Sequence, residues 1–383
     1  MIPFWYGYDC WLQSHGMLLY KLRPPPGNPG ARFWYPSRDT VSSTLPFARC
    51  LNGGSSESEF STGLRVMPRF AYAQDGCGRD LFIKLIEKGS NEHKINRHLL
   101  SNASSSNASE FSFVLPPVAL LDSPYDFSFL VMPRFVQTLS TVRQVLTFMK
   151  CLLTGLAFLH EQRIAHRDIN ISNVLVNCYC QSLEEWKTEE TIREYIQTSD
   201  EVAYALFDFD LSVQFPLDTD IRSARRPSRE AFRGAPIYHP SDVWCGPPGY
   251  NPFAFDVACL GNLFLYHFAS MIPTVPALAP LYACMTTHVV EQRFTASEAL
   301  AFYLEHLERL PDEVQRREVV LRPSCDPLNN PDLFWQLLGT EDEARWSQYR
   351  VPPRPWGKRF LTWLASLPRG WMLLHRLRCT LHI

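Results

Sequence analysis

The chain has no long uninterrupted apolar run. Its most apolar stretch, Phe253 to Met285, is broken by Asp256, Asn262, His267 and prolines, which reads as buried core and not as a bilayer span. A dominant charge is missing too. Lys+Arg 37 against Asp+Glu 39 leave a formal charge of −2, so no global field favours nucleic acid, and none is expected as a partner. The eleven cysteines lack paired spacing: Cys178 and Cys180 stand too close for an ordinary zinc pair, and no second pair supports them. They are expected as reduced thiols, which points to an intracellular protein, cytoplasmic or nuclear. The opening Met1-Ile-Pro-Phe-Trp-Tyr has neither a basic n-region nor a long apolar h-region, so it is not expected to be a secretory leader. Charged residues at 20% and hydrophobic ones at 46% exclude a disordered chain or a coiled coil. No internal repeat is present.

What the sequence does have is proline, thirty in all, and 13% aromatic residues, a composition of pinned, extended loops. Residues 1–60 read as an aromatic and Pro-rich N-terminal extension, with a stiff linker at Arg23-Pro-Pro-Pro-Gly-Asn-Pro-Gly and a Gly/Ser break at Asn52 to Ser61. Phe70-Ala-Tyr-Ala and Leu81-Phe-Ile-Lys-Leu-Ile flank a Gly-bearing turn and predict a hairpin. Asn91 to Leu100 predicts a helix capped by Ser90 or Asn91; Val118 to Leu121 and Phe127 to Met132 predict short strands. Beyond Pro133, Val142, Val145, Leu146, Met149, Leu152, Leu153, Leu156 and Leu159 fall on one helical face. Strands first and helices afterwards describe an α+β chain with a small lobe and a larger helical one.

The chemistry concentrates after that helix, in His166-Arg-Asp-Ile-Asn-Ile-Ser-Asn173, followed by apolar Val174-Leu-Val and, later, Leu206-Phe-Asp-Phe-Asp210. An Asp and an Asn five residues apart on one tight loop can face a single site. One accepts a hydroxyl proton while the other offers a carbonyl oxygen to a hard cation. A further carboxylate, Asp208, would complete oxygen ligation of Mg2+, the requirement of phosphoryl transfer.

These motifs resemble the eukaryotic protein kinase superfamily over roughly residues 60 to 308, and the lead-in resembles uncharacterised kinase-domain proteins of mushroom-type fungi. The resemblance implies a bilobal protein-kinase-like fold: a domain over 61–310, its β-rich lobe about 61–135 with five strands and one helix, and its mainly helical lobe about 136–310. A hinge is expected near Met132 to Phe135, with Met132 at the nucleotide base, and a basic, Trp-rich extension fills 311–383. It further implies ATP and Mg2+ as cofactors and a protein hydroxyl, Ser or Thr, as substrate. Asp168 is the implied catalytic base, and Asn173 and Asp208 the metal ligands. Arg167 would anchor a phosphorylated activation loop. Lys84 would pair the nucleotide's α/β-phosphates, and Glu92, in Glu92-His-Lys-Ile, would hold that lysine. Phe255-Asp-Val-Ala-Cys-Leu-Gly261 resembles the kinase helix whose carboxylate, here Asp256, holds the catalytic-loop backbone. Glu291 to Leu300 resembles the closing motif, with Arg293 in a buried ion pair for which Asp242 is the nearest partner.

Departures from the pattern are equally specific. No G-x-G-x-x-G loop precedes Lys84, and Phe82 stands where the family has a small residue. Asn170 replaces the phosphate-contacting lysine, Ala235 a threonine that would contact Asp168, Asp210 a glycine, and Asn96 an apolar residue. The alternatives these leave open are a nucleotide-binding pseudokinase scaffold and a small-molecule kinase of the aminoglycoside or choline type. Asp168 and Asp208 are forty residues apart, twice the family spacing, and the extra segment Cys178 to Glu201 reads as an acidic surface helix. From Arg345 to Ile383 there are eight Arg/Lys and no acid, with Trp346, Trp356, Trp363 and Trp371 among them. This predicts either a peripheral or protein contact or a tail folded back on the lobe. Finally, five arginines from Arg222 to Arg233 need an anion, for which a phosphate on Ser228 or Ser223 is the expected source.

Overall fold

The computed structural model describes residues 2–24, 33–51, 64, 65, 67–102, 111–134, 142–179, 191, 195, 199, 201–351, 353, 355–367 and 369–381. The architecture is mixed α+β, and the chain divides into two compact units: residues 1–139 with 174–207, and 140–173 with 208–383.

In the first unit, helices α1 (Ile2–Gly7) and α2 (Asp9–Ser14) lead into strands β1 (Leu18–Leu19), β2 (Lys21–Arg23), β3 (Phe33–Tyr35), β4 (Arg49–Cys50) and β5 (Leu64–Arg65). There follow β6 (Phe70–Gln74), β7 (Asp80–Glu87), helix α3 (Asn91–Asn102), β8 (Ala119–Asp122) and β9 (Phe127–Pro133). The predicted hairpin is β6–β7, and it sits inside a five-stranded antiparallel sheet of order β1-β6-β7-β9-β8. The fifth strand, β1, comes from the stretch read as an N-terminal extension. β2, β3 and β5 form a separate three-stranded sheet.

Strand alternation decides what each face of the main sheet meets. Leu81 and Ile83 point to a face buried by Trp5, Leu12, Trp34, Phe47 and Phe129. The N-terminal aromatics are therefore the cover of one sheet face. Phe82 and Ile86 point to the other, against Leu130, Met132 and Tyr179, and Lys84 shares this alternation. β7 runs three residues past Lys84, to Glu87, because Leu85 and Ile86 continue the buried pattern.

Helix α3 starts where Ser90 Oγ accepts the His93 N–H at 3.2 Å. It is tied to β8 by His93 Nε2 and Arg97, which meet the Asp122 carboxylate at 3.0 and 2.8 Å. Hydrogen bonds from His93, then Ser128 and Arg97, hold that carboxylate well below its ordinary range. At the end of β9, buried Arg134 approaches Asp80 Oδ2 at 3.5 Å and lies 4.3 Å from the Tyr179 ring, whose hydroxyl donates to the same oxygen at 2.7 Å. Phe135, and most of the acidic segment, lie outside the described residues. That segment's start, Cys178–Tyr179, is a strand pairing parallel with β4.

The second unit is built on helix α4 (Val142–Glu161), and every residue of its predicted apolar face is buried. Phe148 packs edge-on to Phe264 and Phe268 of the helix Pro252–Phe268, and Tyr303 of the helix Ala296–His306 donates to Leu146 O at 2.9 Å. The segments Val142–Glu161 and Pro252–Met271 are long and apolar enough to cross a membrane, but 72% and 78% of their apolar windows are buried inside the fold, as core helices are. No disulfide joins two of the ten described cysteines.

Trp5 is 0% exposed against the sheet. Trp5→Ala is therefore expected to lower stability by about 3–5 kcal/mol, checked by urea denaturation. An effect below about 1 kcal/mol would mean that the N-terminal helices do not contribute to this core.

Candidate active site

Lys84, Glu92 and Met132 belong to the first unit. Lys84 Nζ donates to Glu92 Oε1 at 2.5 Å, and both side chains are 3% exposed. A buried lysine requires such a counter-charge, and the pairing predicted from sequence is present. Register places Phe82 opposite Met132 and Lys84 opposite Leu130. Phe82 stacks on Phe70 at 5.0 Å and tilts against Tyr72 at 5.2 Å. An aromatic surface thus flanks Lys84 where the resemblance implies an open base pocket. Asn96, buried, donates back to Glu92 O at 2.9 Å, which satisfies its amide within α3.

Asp168, Asn173 and Asp208 belong to the second unit, together with the groups that hold them. Asp256, 0% exposed in an otherwise apolar helix, accepts the backbone N–H of His166 at 2.6 Å and of Arg167 at 2.7 Å, with His160 Nε2 at 3.3 Å. A carboxylate buried this deeply is tolerated only because several donors converge on it. Five residues on, Gly261 lets the helix Leu278–Thr286 approach. A Cβ there would meet Thr286 Cγ2 at 2.7 Å and Met285 Cβ at 2.8 Å.

The loop that Asp256 holds presents Asp168. Asn173 Nδ2 donates to Asp168 Oδ2 at 2.8 Å and to its carbonyl at 2.9 Å. Asn170 Nδ2 donates to Oδ1 at 3.0 Å, and the Ala235 N–H reaches the same oxygen at 3.3 Å. Asn170 and Ala235, departures from the resembled pattern, thus both act on the carboxylate, one by side chain and one by backbone. With its amide nitrogen committed to Asp168, Asn173 offers its carbonyl oxygen to a cation. Gly234, which sequence reading passed over, lies beneath: a Cβ at this position would come 2.7 Å from Asp168 Oδ1.

Phe209 packs on His166 at 5.5 Å, and Ser212 Oγ donates to His166 O at 2.9 Å, so the Asp208 segment runs beside the same loop. Arg167 and Asp208 both adopt left-handed φ, 68° and 70°, a backbone cost characteristic of functional sites. Among the described residues no cluster of three or more His, Cys, Asp or Glu could hold a metal. The expected cation would therefore take one carboxylate, Asp208, and the Asn173 amide oxygen, with its remaining sites filled by phosphate and water, the usual mode for Mg2+. His239, close enough to Asp168 to feel its charge, has its pKa pushed down to about 4 by burial and is neutral at pH 7.

Arg293, 2% exposed, meets Asp242 at 2.7 Å and donates to Thr287 O at 2.7 Å and Ala254 O at 3.1 Å. The shorter carboxylate serves where the resembled pattern has Glu. In the Arg-rich stretch the anion is already present. Glu230 accepts from Arg226 at 3.0 Å through both oxygens and lies 3.1 Å from Arg167, whose Nε donates to Tyr250 Oη at 2.8 Å. Ser228 is 0% exposed, inaccessible to a modifying enzyme in this state, while Ser223 is exposed. An ordering phosphate on Ser228 would require this hydroxyl to become accessible, and Arg226 and Arg167 have the Glu230 carboxylate as partner in this state. The signal was visible, since Glu230 is the sole acid between Ile221 and Arg233.

A cavity of about 520 Å³ lies elsewhere in the second unit, lined by His288, Asp332, Trp335, Arg359 and Trp363 among others, and contains none of the predicted site residues.

Two outcomes are expected. Asp256→Asn retains one acceptor but turns an NH2 toward a backbone N–H, and should cost about 2–4 kcal/mol in chemical denaturation; unchanged stability would remove Asp256 as the anchor. Glu230→Gln should strip Arg167 of its counter-charge and speed amide hydrogen exchange across 221–234. Equal protection in both proteins would show that the carboxylate does not order that stretch.

No protein-family model matches the chain, and no curated protein matches it significantly.

Proposed function

We propose that this chain is an ATP- and Mg2+-dependent protein kinase that transfers the γ-phosphate to a protein Ser or Thr hydroxyl. The observation that carries the reading is the pair of short bonds from His166 and Arg167 N–H to buried Asp256. They fix the loop on which Asn170, Asn173 and Ala235 orient the Asp168 carboxylate. In the proposed reaction the substrate hydroxyl oxygen bonds to the γ-phosphorus as the bond to the β–γ bridging oxygen breaks. The hydroxyl proton passes to Asp168, and ADP leaves. Lys84, held by Glu92, binds the α/β-phosphates, and Met132 contacts the base. Asn173 and Asp208 would hold Mg2+, which would supply neutralisation of phosphate charge when bound. The Asp256-to-Gly261 helix and the Arg293–Asp242 pair favour a protein substrate over a small alcohol, since those features carry the resemblance to the protein-kinase branch.

A second reading, a nucleotide-binding scaffold without turnover, is favoured by the Phe82–Phe70 stack beside Lys84 and by the missing phosphate-contacting lysine at Asn170.

Incubation of the purified chain with labelled ATP and Mg2+, with generic protein substrates and separately with small alcohols, separates the readings. Label on protein, reduced about 10²–10⁴-fold by Asp168→Ala and abolished by Lys84→Met, is the expected result. Label on the alcohols would make it a small-molecule kinase. ATP-dependent thermal stabilisation with no label anywhere would make it a scaffold. Transfer that survives either substitution would separate that residue from the site.

A further inference from the structure

The C-terminal segment divides its tryptophans between two environments. Trp346 is buried against Phe302 and His306. Trp371 packs on Phe232 at 4.8 Å and donates its indole N–H to Val243 O at 3.1 Å. With Leu374, Ala365 and the His375 contact to Pro247 O, these groups dock the helices Trp356–Ser366 and Gly370–Leu381 on the second unit. Their inner faces are therefore accounted for.

Both helices also carry exposed apolar side chains. Trp356, Phe360 and Trp363, at i, i+4 and i+7, form one stripe and are 80%, 46% and 57% exposed, Trp363 also lining the cavity of about 520 Å³. Their rings follow one another at 5.9 and 5.6 Å. On the second helix Leu373, Leu377 and Leu381 make a further stripe, 55%, 49% and 60% exposed. Of the seventeen exposed large apolar side chains among the described residues, eight lie between Trp356 and Leu381. Such concentration marks a binding surface, because solitary exposed apolar residues are ordinary and clustered ones are not.

Charge says what kind of surface. Residues 345–383 hold eight Arg/Lys and no acid, so the rest of the chain, with 37 − 8 = 29 basic residues against 39 acidic, stands at −10. Arg359, Arg369 and Arg376 are exposed and make no ion pair with a carboxylate among the described residues. Two copies of a uniformly basic face repel each other, which disfavours self-association through it. Aromatic stripes on amphipathic helices flanked by arginine match the interface of an anionic bilayer, where indole rings sit at headgroup depth and each cation gains from the surface potential.

We propose that this helical pair is a peripheral membrane-binding surface that seats its Trp/Phe and Leu stripes in the headgroup region of anionic lipid. The proposal is independent of the kinase reading, because its test measures partition and not transfer.

The full chain is co-sedimented with phosphatidylcholine vesicles with and without phosphatidylserine. Binding that requires phosphatidylserine and weakens with salt is expected. The triple substitution Trp356→Ala, Phe360→Ala, Trp363→Ala should lower the partition coefficient about tenfold or more, and Arg359→Glu with Arg376→Glu at least about fivefold for each arginine. Both variants should stay folded, each with a single cooperative melting transition, because the side chains removed are at least about half exposed. Three results would each overturn the proposal. They are absence of phosphatidylserine-dependent binding at low salt, wild-type binding by both folded variants, and association only with an acidic polypeptide such as polyglutamate. Dimers that the triple substitution converts to monomers would assign the face to a second copy instead and overturn it as well.

Discussion

Everything proposed for the reactive loop depends on one buried carboxylate. Asp256 sits in the helix Pro252–Phe268 among apolar neighbours, where an ionised group without donors is prohibitively costly. The donors that answer it are two consecutive backbone N–H groups of the loop 166–173 and the His160 ring. Because two of these donors are consecutive backbone groups, the carboxylate dictates the path of the chain itself. Arg167 is thereby held at a left-handed φ, and the next residue, Asp168, is presented to its own set of amide donors. Gly234 is the steric counterpart, since any side chain there would displace the Asp168 oxygen.

A second use of buried charge recurs through the molecule. Lys84 with Glu92, Arg293 with Asp242, Arg167 with Glu230, and Arg134 with Asp80 each join two different elements. Pairs of this kind contribute little net stability against apolar replacements, but losing one partner is severe. Their value here is placement: each cation fixes where a loop or helix end must lie. Glu230 also gives Arg167 and one arginine of the Arg-rich stretch, Arg226, a carboxylate from within the chain, while Arg222 meets Glu298.

Several elements were legible from local pattern alone. The β6–β7 hairpin, the α3 cap at Ser90 and the buried face of α4 follow from alternation, capping chemistry and helical periodicity, all of which act over a few residues. The Lys84–Glu92 pair was legible because strand and helix are separated by one short turn. The match of Asp242 to Arg293 rested on the resemblance, which implied a buried ion pair for Arg293, and on spacing, which made Asp242 the nearest partner.

What the tertiary structure decided concerns groups far apart in sequence and faces rather than residues. The amino-terminal aromatics read as a separate extension, yet they cover one face of the main sheet. Aromatic content gives no partner, and only the pairing of β1 with β6 assigns them one. The anion among the arginines read as a future phosphate, because sequence shows charge but not that Ser228 is interior while Glu230 is within reach. The four carboxy-terminal tryptophans are alike in sequence; that Trp346 is buried, Trp371 packs on Phe232, and Trp356 and Trp363 stay largely exposed was set by which helix face the rest of the unit could accommodate. The sequence by itself determined the local elements and which polar side chains the loop at Asp168 carries. Burial, a property of the whole fold, determined which of the chain's charged and aromatic groups are structural and which remain available to a partner.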